Sequence, residues 1–120
     1  MLEFGQTDAP ADDLIKDGSE ATFMQDVVEA SQTVPVIVDF WAPWCGPCKA
    51  MGPAIDQLAS DFEGKLKVVK LNTQDHPNKA AELGIMSIPC FVVFKGGAEV
   101  ARLTGGRAYD EFKAFVEPHL

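Results

Sequence analysis

Short apolar runs alternate along this chain with longer stretches in which apolar residues recur every third or fourth position. Residues 34–40 are β-branched and almost unbroken, which marks a strand buried on both faces. Residues 66–71 and 91–94 read the same way. Phe23, Met24, Val27 and Val28 share one helical stripe that Ser19 can cap. Met51, Ala54, Ile55, Leu58, Ala59 and Phe62 form the core face of a second helix starting at Cys45 or Gly46. Gly64 stops that helix, and Pro53 inside it predicts a kink. Residues 77–83 make a short helix, with Pro77 near its start and Gly84 just past its end. Gly96-Gly97 is a two-residue hairpin signal, so residues 98–103 return antiparallel. Tyr109, Phe112, Phe115 and Val116 mark a last amphipathic helix.

With residues 14–16 as a short first strand, the order is βαβαβαββα. Helices between strands act as crossovers, which predict parallel pairs, and the hairpin adds one antiparallel edge. The expected class is α/β: a mixed five-stranded sheet flanked by four helices. The helix from Cys45 then begins at the C-terminal end of a central strand, where open α/β sheets place their sites.

Composition narrows the function. The 120 residues predict one domain, and 47% hydrophobic content is ordinary for a chain with one real core. A net charge of -8 argues against nucleic acid and against an anionic membrane surface, since phosphate repels it. Residues 1–13 are polar, acidic and contain Pro10, so they read as a loose tail preceding a domain over 14–120. That tail has neither a basic region nor an apolar core, so the expectation is a cytoplasmic protein or one whose signal has been removed. Three cysteines make a poor disulfide framework, because an odd number leaves one thiol over.

The chemistry lies in Trp41-Ala42-Pro43-Trp44-Cys45-Gly46-Pro47-Cys48-Lys49. Two cysteines spaced C-x-x-C at a helix start can bridge with little backbone movement. Cys45 would sit at the helix N-terminus, where free N–H groups and the helix dipole favour its thiolate. Cys48, one turn in, would be the more buried of the two and suited to resolve a mixed disulfide. The rival reading is zinc, which commonly wants four ligands, and the remaining candidates Cys90, His76 and His119 do not repeat the spacing. A metal or iron–sulfur carrier and a binding scaffold with a dispensable dithiol stay open beside the redox reading.

The segment from Val38 to Lys49, with Trp-Cys-Gly-Pro-Cys intact, resembles the active-site signature of the thioredoxin family. Further matches follow in order: Pro53, Lys70-Leu71-Asn72, Gly84-Ile85, Ile88-Pro89, Phe94-Lys95-Gly96-Gly97 and Gly105. The resemblance covers about residues 14–120. It implies a protein-disulfide reductase in which Cys45 is the nucleophile and Cys48 the resolving cysteine. Pro47 would keep the couple reducing, and Pro89 would be a cis-proline facing the dithiol. Trp44, Gly46, Ile88 and Gly105 would line the contact surface for substrates. The domain would need no bound cofactor and would work as a monomer. A flavoenzyme, thioredoxin reductase, would re-reduce it with NADPH, so FAD and NADPH enter only through that partner.

Asp39 and Lys70 each interrupt an apolar strand. Asp39 reads either as a solvated strand end or, as the resemblance favours, as a buried acid below Cys48 with a raised pKa that accepts its proton. Lys70 reads as a snorkelling lysine or as a partner tuning Asp39. Trp41 is expected to pack beneath the active-site loop, and Met51 to lie in the core. His76 and His119 read as loop and terminal residues. Cys90 and Met86-Ser87 depart from the family's usual residues, and Cys90 is expected to be buried, reduced and turned away from the dithiol.

Overall fold

A computed structural model describes residues 14–120; the tail assigned to 1–13 lies outside the described residues. Five strands, β1 (Ile15–Asp17), β2 (Val36–Trp41), β3 (Lys67–Asn72), β4 (Cys90–Lys95) and β5 (Ala98–Thr104), form one sheet in the order β1-β3-β2-β4-β5. Four helices flank it: α1 (Met24–Glu29), α2 in two segments (Gly46–Ala50 and Gly52–Asp61), α3 (Pro77–Glu82) and α4 (Tyr109–Val116). No helix among the described residues is long and apolar enough to cross a membrane.

The central strands bury nearly every side chain, as their unbroken apolar runs require. Val36, Val38, Phe40, Val69, Leu71, Val92 and Phe94 pack on one face with Phe23 and Val27 of the α1 region and Ala80 of α3. Ile37, Val68, Phe91 and Val93 pack on the other with Ile55 and Leu58 of α2 and Phe112 and Val116 of α4. Each fully buried Val, Leu or Phe contributes about 1.5–3 kcal/mol. Tyr109 also donates its hydroxyl to Asp61, tying α4 to the end of α2.

Sheet direction departs from the crossover expectation. β2 and β3 are parallel, but β4 runs antiparallel to both β2 and β5, giving two antiparallel pairs instead of one. Helix length explains this. The two segments of α2 together reach roughly 24 Å at 1.5 Å per residue, enough to return along a strand of about 20 Å. Helix α3 has only six residues, roughly 9 Å, so the chain re-enters the sheet at the end where β3 left it. The Gly96-Gly97 hairpin is as expected, with φ of 65° and 87°.

Helix α1 also differs. Thr22 N–H donates to Ser19 Oγ at 3.1 Å, but that bond closes a turn ahead of the helix, whose N-cap is Phe23 with no side-chain cap, so the expected Ser19 cap is not made. The turn then widens: the Ala30 N–H reaches the Gln25 carbonyl, five residues back. More residues per turn rotate the apolar stripe, so Met24 stays 59% exposed while Asp26 turns inward. The α2 kink appears as a break at Met51, ahead of Pro53, whose missing N–H leaves the turn open.

Candidate functional site

β2 ends at Trp41, and the loop after it delivers Cys45 to the N-cap of α2. Cys45 has extended backbone angles, φ -92° and ψ 106°, as an N-cap residue does. Its Sγ accepts a hydrogen bond from the Cys48 N–H at 3.2 Å. Cys45 and Cys48 are joined as a disulfide, with their Cα atoms 5.3 Å apart. Each residue is 5% exposed, so Cys48 is not the more buried of the two. Trp41, Ala42 and Ile88 cover both sulfurs together. What separates the cysteines is the N–H aimed at Cys45, which favours negative charge on that sulfur alone.

Around the pair, the rim is open. Trp44 is 71% exposed, and a Cβ placed on Gly46 would meet nothing within 4 Å. Pro47 occupies the first turn of α2, where its missing N–H costs no bond. The Ile88–Pro89 peptide is cis and enters β4 at the dithiol end, and the Ile88 carbonyl lies 3.9 Å from Cys45 Sγ. Gly105, at φ 91°, donates its N–H to the Pro89 carbonyl at 2.8 Å. The loop from β5 is thereby fixed beside the proline. Trp44, Thr73, Ala80, Ile85, Met86, Ser87 and Ile88 line a shallow cavity of about 380 Å³ next to the disulfide. Met86 is 94% exposed there. Its place in the cavity was not assigned from sequence, although its departure from the family pattern was a signal.

Asp39 lies in the middle of β2, 2% exposed, with neither carboxylate oxygen hydrogen-bonded among the described residues. Burial pushes its pKa up to about 7, and the Lys70 charge pulls the other way. It projects to the α2 side of the sheet, two residues before Trp41, which packs on the disulfide. Lys70 pairs with Asp39 in register but places its Nζ 4.7 Å from the centre of the Trp41 ring. Trp41 is half-buried and Met51 is in the core, as their positions predict. His76 lies in the loop before α3, as expected, and is a half-buried acceptor for the Glu20 N–H at 3.4 Å, while His119 is half-buried at the terminus against Phe115.

Cys90 is 1% exposed and belongs to the opposite core, with Val38, Phe40 and Val92. Burial raises its thiol pKa despite the Thr104 hydroxyl 3.8 Å away. It cannot join Cys45 and Cys48 around a metal. Among the described residues no three His, Cys, Asp or Glu side chains gather as a metal site.

A disulfide between C-x-x-C residues at a helix N-cap, beside a cis-proline on a mixed sheet, defines a thiol–disulfide oxidoreductase. The thioredoxin family model matches residues 15–118, and the chain belongs to that family. It is 45% identical over 102 residues to thioredoxin 1 of Nostoc sp., covering 85% of this chain and 94% of that protein. It is 52% identical over 102 residues to a chloroplastic M-type thioredoxin of Chlamydomonas reinhardtii, covering 85% of this chain and 71% of that protein. Thioredoxin of Haemophilus influenzae is 39% identical over 102 residues, 85% of this chain and 94% of that protein. The chain therefore performs thiol–disulfide exchange through Cys45 and Cys48.

Proposed function

We propose that Cys45 is the attacking thiol and Cys48 the resolving one in the reduction of protein disulfides. The observation that carries this is the Cys48 N–H donated to Cys45 Sγ at 3.2 Å. The Cys45 thiolate attacks one sulfur of the substrate disulfide, and the other leaves as a thiolate. Cys48 gives its proton to the Asp39 carboxylate and attacks Cys45 Sγ. The second substrate sulfur leaves, and the Cys45–Cys48 disulfide holds the oxidation the substrate has lost. Asp39 suits this role because an acid with a pKa of about 7 takes a proton readily at neutral pH. Lys70 tunes that acid, and Pro47 disfavours a still more stable thiolate by withholding an N–H.

Substrate contacts fall to Trp44, Gly46, Ile88, Pro89 and Gly105. An extended segment carrying the target disulfide lies along Ile88 and Pro89, with open space over Gly46. The oxidised protein returns to the dithiol through a flavin-dependent thioredoxin reductase that draws on NADPH, and the chain itself holds no cofactor. In this reading it works as a monomer in the cytoplasm. The test is NADPH oxidation coupled through thioredoxin reductase to a disulfide substrate such as insulin. Steady turnover that depends on the chain is expected; no NADPH consumption above the reductase alone would refute the reading.

A further inference from the structure

Three charged residues stand in one row across three strands. Asp17 of β1 is paired with Lys70 of β3, and Lys70 is paired with Asp39 of β2. Parallel strands in register put paired residues on the same face, so all three project to the α2 side. Burial grades along the row: Asp17 is exposed, Lys70 half-buried and Asp39 2% exposed. Two cavities, of about 310 and 360 Å³, open on Lys70. The first is lined also by Trp41, Asn72, Asp75 and His76, the second by Ile15 and Asp56. Of the carboxylates lining them, Asp17 alone lines both.

Lys70 has one carboxylate in register on each side, and it satisfies Asp39 by neither a hydrogen bond nor an ion pair: both Asp39 oxygens are unpartnered among the described residues. Its ammonium lies over Trp41, next to the solvent-facing opening that Asp17 also lines. An ammonium is strongly hydrated, so a carboxylate on the solvent side can bias it outward through its field at little cost, although Asp17, like Asp39, makes no direct ion pair with it among the described residues. We propose that Asp17 is a positioning residue for the exchange reaction: it draws the Lys70 ammonium toward solvent and so leaves Asp39 free to take the proton of Cys48. This rests on the reading of Asp39 as proton acceptor.

The other groups facing this row are Asp56 from α2 and Asp75 and His76 from the segment after β3; Cys90 from β4 points to the opposite face and feels Asp39 only through the sheet. Apart from Asp39 itself, Asp17 alone is in register with Lys70 on an adjacent strand. Strand spacing puts Asp17 about 10 Å from Asp39, where one charge moves a partly shielded carboxyl by about half a pH unit.

The experiment follows the Asp39 carboxyl by carbon-13 NMR through a pH titration of the disulfide form, in which Cys45 and Cys48 do not titrate. Asp17 is exposed, so its variants keep the fold. Asp17→Asn is expected to lower the Asp39 midpoint by more than the direct effect of about half a unit, because the Lys70 ammonium also turns toward Asp39. Asp17→Glu is expected to keep it, Asp56→Asn to move it less, and a Lys70→Met background to shrink the Asp17→Asn effect. The pH profile of the Cys48 resolving step should move with the midpoint. An unmoved midpoint, an equal shift from Asp56→Asn, or an undiminished shift without Lys70 overturns the proposal. An Asp39→Asn variant with a wild-type resolving rate would instead refute the acceptor role, and the titration separates the two failures.

Discussion

On the face covered by α1 and α3, a buried aspartate and a cysteine are both held quiet. Asp26 accepts the Lys16 ammonium at 3.0 Å, and although burial works against its charge, Thr22 and Lys16 outweigh that and lower its pKa. Cys90 is sealed in the same core. On the face covered by α2 and α4, Asp39 has no hydrogen-bond partner among the described residues, and the disulfide lies at the open end of the sheet. Burial alone therefore does not make a group reactive. The difference is whether a counter-charge is delivered to it, and β1 delivers Lys16 to one face while sending Asp17 to the other.

The most severe way to break this contrast is to exchange sulfurs. Cys45→Ser should abolish insulin reduction and trap no substrate, while Cys48→Ser should accumulate mixed disulfides visible by mass spectrometry. Cys90→Ala should leave turnover within about twofold of wild type, as expected for an inert buried thiol. A Cys90 variant as dead as Cys45→Ser would erase the distinction between the faces.

The two aspartates should respond to pH with opposite signs. The folded chain holds the Asp39 proton to about pH 7, against an ordinary carboxyl value of 3.8, so Asp39 costs stability as pH rises from about 4 to 7. Asp39→Ala should be more stable than wild type above pH 7, by an amount on the order of 4 kcal/mol for a shift of this size. The gain should fade toward pH 4, and exchange should be slower. Asp26 has a lowered pKa, so its contribution is present at neutral pH and is lost as pH falls through its folded value. Asp26→Ala should lose about 1 kcal/mol at pH 7. Urea melts of both variants across this range decide it, and gains or losses of the same sign would end the comparison.

The smallest effect is a count of thiols. In the fully oxidised native protein a bulky thiol reagent should find none, and in denaturant one, which is Cys90. Prompt native labelling would show that its face opens.

Local features of this fold were legible. Apolar runs marked strands, Gly96-Gly97 marked the hairpin, and Cys45 to Cys48 marked the site, because each signal is complete within a few residues. Other features depend on two distant lengths or registers at once. The direction of β4 follows from α3 being too short to retrace β3. The exchange of Met24 for Asp26 in the core follows from one widened turn in α1. Equal burial of Cys45 and Cys48 depends on the cover supplied by Ile88, some forty residues on. Asp39 and Lys70 stood out as polar breaks in apolar strands, but nothing nearby announced that Asp17 would complete their row.

The brevity of α3 also bears on when the chain becomes reactive. Because it turns the chain back at the dithiol end, the site draws on three stretches far apart in sequence: the loop into α2, the segment before β4 and the loop after β5. Those stretches meet only when β2 has paired with β4, a contact of long sequence separation whose loop closure is slow, whereas the β4–β5 hairpin is local. Before then the C-x-x-C pair has neither a formed helix end behind it nor a proline wall beside it. Closing the sheet is thus the step that arms the sulfurs, and a chain that has not finished folding carries the motif without the activity.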